Sequence, residues 1–305
     1  MTEKQQQSQG LLPFLTNFFS GGLAGVIAKT VSAPIERVKL LLQTQKSNER
    51  VAKHYHGIGD CITRTYKEEG VLAFWRGNGV NVIRYFPTQA LNFSFKDYYG
   101  QIFLKSDKNK EPFKFFLQNL LAGGLAGCTT TIFVHPLDFA RTRLGVDVGR
   151  GKDRQFKGLF DCMSKIMKSD GPTGLYRGFF ASVIGIFVYR SLYFGMYDTG
   201  KALFLSDKEH SFLTKFLFAQ AVVISAESVS YPTDTIKRRL MMQSGKQEKL
   251  YTGFLDCLQK MARNEGVKAF WTGNLSNVYR GFGSSLTLVL YDVFQEAANG
   301  KKKHH

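Results

Sequence analysis

One six-residue element occurs three times in this chain and constrains it more than any other feature. Its copies are Pro34-Ile35-Glu36-Arg37-Val38-Lys39, Pro136-Leu137-Asp138-Phe139-Ala140-Arg141 and Pro232-Thr233-Asp234-Thr235-Ile236-Lys237. Each sets an acid two residues after a proline and a base three residues after the acid. The prolines stand about a hundred residues apart, so the repeat is a whole supersecondary unit rather than one turn of a solenoid. Proline inside an otherwise helical apolar pattern removes one backbone hydrogen bond and crowds the preceding turn, which predicts a kinked helix in each repeat. Acid and base at i and i+3 share a helix face. Three such helices around one axis would set the acid of one repeat against the base of another: Glu36 with Arg141, Asp138 with Lys237, and Asp234 with Lys39. Such a ring would close one end of the bundle.

A second signature keeps the same interval. Glu69-Gly70 with Trp75-Arg76-Gly77 returns as Asp170-Gly171 with Tyr176-Arg177-Gly178, and as Glu265-Gly266 with Trp271-Thr272-Gly273. Between the two signatures lies a tripled amphipathic segment, opened by Gly57 with Asp60-Cys61, Gly158 with Asp161-Cys162, and Gly253 with Asp256-Cys257. Together these predict six long helices in three pairs, at 11–43, 77–104, 113–146, 178–204, 211–243 and 273–297, with a short surface helix in each repeat. The repeats are expected at 11–106, 107–207 and 208–298, between a polar tail at 1–10 and a basic tail at 299–305. The polar loop 44–56 is expected to be exposed. Gly21 with Gly25, and Gly123 with Gly127, form small-xxx-small patterns that admit a close helix neighbour.

Residues 10–28 and 115–134 are uncharged and near the length needed to cross a bilayer. The remaining candidate spans are interrupted by isolated charges, which a membrane tolerates only facing protein or water. A bundle around a polar cavity meets both conditions. The formal net charge of +17 calls for an anionic partner: nucleic acid, anionic lipid or an anionic solute. The bases recur within the repeat instead of gathering in one arm, which speaks against nucleic acid. Three of the four cysteines are repeat-equivalent, so duplication explains them without a disulfide. No hydrolytic or redox constellation, metal-ligand spacing or glycine-rich phosphate loop appears. An enzyme, a cofactor and a metal centre are therefore not expected, and no cleaved targeting peptide is visible.

On these elements the chain resembles the mitochondrial carrier family, whose hallmark is the tripled proline–acid–base element, and the likeness covers nearly the whole chain. Within that family, residues 34–43, 84–93 and 141–144 are similar to the ADP/ATP carriers. The resemblance implies an all-α membrane protein with six transmembrane helices in three homologous two-helix repeats and short matrix-side surface helices. It implies a multi-pass protein of the mitochondrial inner membrane that exchanges ADP for ATP by alternating access. The implied substrate contacts are Lys29, Arg84 and Arg280 for the phosphates, an adenine-sized apolar slot at Gly185, Ile186 and Tyr189, and Arg190 as a fourth charge. The acids Glu36, Asp138 and Asp234 with the bases Lys39, Arg141 and Lys237 become a matrix gate, braced by Gln43. Asp97, Asp198 with Lys201, and Asp292 become a cytoplasmic gate. Arg238, Arg239, Leu240, Met241 and Met242 fall in the arginine–methionine segment of the ADP/ATP carriers. Helix starts at Gly57, Gly77, Gly158, Gly178, Gly253 and Gly273 are implied cardiolipin sites; the same glycines also read as plain turns.

The chain departs from the family pattern at named places. Gly100 and Gln295 stand where cytoplasmic-gate bases would follow Asp97 and Asp292, and Lys237 and Leu240 replace an arginine and a methionine. Glu227, five residues before Pro232, is the repeat counterpart of Lys29. The alternatives to ADP/ATP exchange are a carrier of the same build for another anionic solute, or a carrier body serving as a structural component of a larger membrane assembly.

Overall fold

A computed structural model describes residues 11–51, 53–106, 110–204 and 212–277. Among these residues the chain is helical and contains no strand. The long helices are α1 (Leu11–Thr44), α3 (Asn78–Phe103), α4 (Pro112–Gly145), α7 (Phe179–Phe204) and α8 (Phe212–Met242). The short ones are α2 (Ile58–Glu69), α5 (Leu159–Asp170), the single turn α6 (Pro172–Leu175) and α9 (Phe254–Glu265). The sixth long helix expected at 273–297 lies almost wholly outside the described residues. Two stretches among those described, Pro112–Gly145 and Pro172–Tyr197, are long and apolar enough to cross a membrane. Neighbours in sequence are neighbours in space: α1 packs on α3, α3 on α4, α4 on α7 and α7 on α8, while α1 also meets α8.

The helices α1, α4 and α8 each run through their repeat proline. A proline has no N–H, so the carbonyl four residues earlier loses its helical donor. Those carbonyls belong to Thr30, Ile132 and Ser228. Each is claimed by the aromatic of the second signature: Trp75 Nε1 donates to Thr30 O at 2.8 Å, Tyr176 Oη to Ile132 O at 2.9 Å, and Trp271 Nε1 to Ser228 O at 2.8 Å. The two signatures are thus one device, a broken backbone bond and its side-chain substitute. The residue just before the proline adds a return link in two repeats. Tyr231 Oη donates to Thr272 O at 3.0 Å. His135 Nε2 lies 3.2 Å from Arg177 O, and since a carbonyl only accepts, Nε2 carries the proton.

The glycine that opens each second long helix has a positive φ, +79° at Gly77, +82° at Gly178 and +88° at Gly273. It also abuts another repeat. A β-carbon at Gly77 would stand 2.9 Å from Arg141 O, one at Gly178 would stand 2.7 Å from Lys237 O, and one at Gly273 would stand 3.5 Å from Lys39 O. Backbone conformation demands glycine at all three, and the backbone contact demands it again at Gly77 and Gly178. Those carbonyls belong to the three repeat bases, so helix starts press against the end of the bundle where the bases sit. The small-residue patterns take up side chains from the same repeat: Phe86 and Tyr85 lie against Gly22 and Gly25, while Arg190, Phe187 and Ile186 lie against Gly123, Gly124 and Gly127.

The surface helices explain the tripled glycine–aspartate–cysteine segment. Gly57, Gly158 and Gly253 cap α2, α5 and α9. The aspartate in the first turn then reaches back to a backbone N–H: Asp60 accepts from His56, Asp161 from Lys157 and Asp256 from Thr252, at 3.0, 2.9 and 2.9 Å. An acid there also suits the positive end of the helix dipole. Cys61, Cys162 and Cys257 follow on the inner face, each fully buried and each in a separate apolar cluster. All are free thiols.

One expectation is corrected. The loop at 44–56 is exposed only in part: Lys46, Glu49, Arg50, Lys53, His54 and His56 face outward, while Thr44, Gln45, Ser47, Asn48, Val51 and Tyr55 are inside. The segment folds beneath the end of the bundle, where Asn48 Nδ2 donates to Val146 O at 2.9 Å and Gln45 Oε1 accepts from Tyr55 N at 2.6 Å. These two polar residues satisfy backbone groups of the interior, so polarity alone misreads them as solvent-facing.

Two predictions follow from this frame. Replacing the donor in Tyr176→Phe or Trp75→Phe strands a carbonyl, at a cost of about 1 kcal/mol per site. Each variant should melt about 2–4 °C lower in detergent, and unchanged melting in both would contradict the link. Burial pushes the thiols of Cys61, Cys162 and Cys257 up to about 12. Since the thiolate is the reactive form, all three should resist alkylation of the native protein at pH 8 and react on unfolding; rapid native labelling would contradict their burial.

Candidate functional site: an ion-pair floor beneath a cavity

Just beyond the three prolines, the paired charges meet across the repeats. Lys39 Nζ lies 3.1 Å from Asp234 Oδ2. Arg141 contacts Glu36, and Lys237 contacts Asp138. The acids and bases thus stand as the spacing predicted, each joined to another repeat. Gln43 Nε2 donates to Asp234 Oδ2 at 3.2 Å and to Thr235 Oγ1 at 3.4 Å, tying α1 to α8 beside the Lys39 pair.

Arg238 takes a position that its place in the arginine–methionine segment did not reveal. Its Nε is 3.3 Å from Asp234 Oδ1 and its Nη1 is 3.6 Å from Asp138 Oδ2, so it bridges two of the three acids. Counting Lys39, Arg141, Lys237 and Arg238 against Glu36, Asp138 and Asp234, this layer carries four bases to three acids. Arg239, one residue on, points elsewhere: its Nη2 donates to Glu265 Oε2 at 2.7 Å. Leu240, Met241 and Met242 are buried packing residues.

Below this layer a second set of pairs anchors the surface helices. Glu69 at the end of α2 receives Arg37 at 2.9 Å and also contacts Arg76. Asp170 at the end of α5 receives Arg177 at 3.0 Å. Glu265 at the end of α9 receives Arg239 and, at 3.3 Å, Lys46. In the third repeat Thr272 stands where Arg76 and Arg177 stand in the others, and Arg239 with Lys46 supplies the missing charge.

Above the floor lies a cavity of about 560 Å³ between α3, α4, α7 and α8. Asp138, Asp234 and Lys237 reach it from the floor, and Arg84, Gly185, Ile186, Tyr189 and Arg190 line its walls. The structure therefore brings together five of the seven residues expected to contact substrate. Arg84 Nη2 donates to Asn81 Oδ1 at 3.4 Å, while its Nε is buried without a hydrogen-bond partner among the described residues. A half-buried guanidinium with donor capacity left over is suited to an anion. Lys29 extends towards the floor, with Nζ 3.7 Å from Glu36 Oε1. Arg280 lies outside the described residues. At Gly185 a β-carbon would meet Thr233 Oγ1 at 2.8 Å, so glycine lets α8 approach α7 at the wall of the slot.

A further space of about 650 Å³ between α3, α4 and α7 contains Asp97, Gly100 and Arg190 among its lining residues. Tyr189, Tyr193 and Tyr197 stack along α7 with ring centroids 6.0 and 5.9 Å apart, leading from one space to the other. The side chains of Asp198 and Lys201 lie outside the described set, as does Asp292. Sequence reasoning missed the polar wall residues Thr88, Asn92, Thr130, Ser182 and Thr233. Their signal was available in part: Arg84, Thr88 and Asn92 recur every fourth residue on α3, a polar stripe on one helix face.

The chain matches the family described as mitochondrial carrier protein in three segments, residues 10–107, 113–208 and 208–302. It is 55% identical over 291 residues to ADP/ATP translocase 3 of Homo sapiens, covering 93% of this chain and 98% of the relative. It is 53% identical over 290 residues to ADP/ATP translocase 4 of Bos taurus, covering 94% of this chain and 90% of the relative. It is 52% identical over 295 residues to the mitochondrial substrate carrier family protein ancA of Dictyostelium discoideum, covering 95% of this chain and 96% of the relative. The three matched segments follow the interval of the charged layer and the proline–aromatic links, and the chain belongs to the mitochondrial carrier protein family.

Proposed function

We propose that this protein exchanges ADP for ATP across the mitochondrial inner membrane by alternating access, as a six-span bundle of three repeats at 11–106, 107–207 and 208–298. The observation that carries the reading is the cavity that holds Arg84 and Arg190 in its walls above a floor with more bases than acids. The nucleotides for which the relatives are named are polyanions with one aromatic base, and both parts find chemistry here. Phosphates suit the guanidinium of Arg84 with Lys29 and Arg280, since charge-assisted bonds to phosphate are strong and directional. The adenine suits the apolar wall of Ile186 and Tyr189 beside Gly185.

In this reading the floor is the matrix gate and the described arrangement is its closed state, with the cavity open to the cytoplasmic side. Exposure of the side chains ranges from 9% at Asp138 to 27% at Asp234, so the pairs are neither fully dry nor fully wet. Pairs of that kind contribute modestly, which suits a gate that must break in every cycle. Phosphate binding to Arg84 and Lys29 draws positive charge upward and weakens the floor, and substrate then favours whichever state it contacts better. On the cytoplasmic side, Gly100 and Gln295 leave Asp97 and Asp292 without the bases expected after them, which favours a resting state open to the cytoplasm. The helix starts at Gly57, Gly77, Gly158, Gly178, Gly253 and Gly273 offer free N–H groups to cardiolipin phosphates.

The test is uptake of labelled ADP into liposomes containing the purified protein and internal ATP. Arg84→Ala should reduce uptake to the level of empty liposomes while the protein still inserts and melts as a folded species. Uptake at the wild-type rate by Arg84→Ala would overturn the assignment of the phosphate site.

A further inference from the structure

Thr131 lines the cavity from α4, five residues before Pro136. Its counterparts in the other repeats are Lys29 and Glu227, and the three share one register, seven residues before the acids Glu36, Asp138 and Asp234. That is two helical turns above the floor. On α8 the cavity is lined by Ser230, Thr233, Asp234 and Lys237. Glu227 continues that face upward, three residues before Ser230 and seven before Asp234, and it is half-buried. Asp234 faces α1, where it meets Lys39 and Gln43. Glu227, directly above it in register, stands on the same side. In register, then, the level that carries a base in the first repeat and a neutral hydroxyl on the cavity wall in the second carries a carboxylate in the third.

We propose that Glu227 is a specificity-determining residue of the nucleotide site, tilting it toward the less charged of the two nucleotides. The inference rests on the exchange reading above. A fixed carboxylate repels a bound anion in proportion to the anion's charge. Free ATP carries one more negative charge than free ADP, whereas adenine, ribose and the first two phosphates are common to both. Contacts with the shared parts cancel in the comparison, and the repulsion does not. The sign is the same if the carboxylate acts by neutralising a neighbouring cation, because either way the site loses one unit of positive charge at phosphate height.

The experiment is competition for labelled ADP uptake in liposomes by unlabelled AMP, ADP and ATP, with divalent cations chelated so that each competitor is the free anion. Wild type is compared with Glu227→Gln, Glu227→Gly and the charge-keeping Glu227→Asp, each checked by melting. Neutral variants should bind all three competitors more tightly, in the order of their charge, so that preference for ATP over ADP rises about threefold to tenfold. Glu227→Asp should keep the wild-type preference. A general packing role for Glu227 would shift all three competitors together. An ATP-to-ADP preference unchanged in both neutral variants would overturn this inference and leave exchange standing. A wild type that takes up no labelled ADP would overturn the exchange reading and this inference with it.

Discussion

Three ion pairs between repeats, set one turn past three prolines, are the contact on which the rest of this molecule depends. Each proline costs its helix a backbone bond at the place where the helices converge. The aromatic donors from Trp75, Tyr176 and Trp271 restore that bond from outside. The glycines at 77, 178 and 273 let the following helices press onto the carbonyls of Arg141, Lys237 and Lys39, the residues whose side chains form the pairs. Broken helix, repaired carbonyl, tight helix start and charge pair occur together in every repeat. The same local chemistry, used three times, closes one end of the bundle and leaves a cavity above it.

The floor is built to be strong in number and weak in each part. Removing one member of a buried pair is costly because the remaining charge is stranded. Here Arg238 shares two acids and Gln43 supports a third contact, so charge is redistributed rather than stranded when one pair loosens. The pairs beneath, at Glu69, Asp170 and Glu265, hold the surface helices to the same ends and cross between repeats where Lys46 reaches Glu265. Floor and surface helix meet on α8, where Arg238 holds Asp234 and the next residue, Arg239, holds Glu265.

Much of this was legible in the sequence because it is periodic. The partners of Glu36, Asp138 and Asp234 follow from one spacing repeated three times, and α3 and α4, whose ends both lie among the described residues, begin and end within one residue of where their patterns do. What escaped was whatever one repeat does alone. Arg37 reaches Glu69 from a position where the other repeats have Phe139 and Thr235, and Arg238 bridges two acids because the third repeat has consecutive bases. The buried half of the loop after α1 escaped for another reason: polar residues such as Gln45 and Asn48 serve interior backbone groups, and composition cannot distinguish that from exposure. The link from aromatic to carbonyl was open to inference, since proline always frees the carbonyl four residues back, but nothing local in the sequence pairs it with a residue more than forty positions away.

The most direct test of the account asks whether the ion pairs are what closes the end. Ser47 is buried beneath the floor, and its hydroxyl has no hydrogen-bond partner among the described residues, so Ser47→Cys is a mild change. Cys61, Cys128, Cys162 and Cys257 would be replaced by alanine, leaving this thiol alone to be labelled by a membrane-impermeant reagent. With the pairs intact, modification should be slow; with Asp138→Asn and Asp234→Asn together, the stranded bases repel and modification should accelerate at least about tenfold. Equal rates in the two proteins, both folded and inserted, would show that something other than the charge pairs holds the end shut.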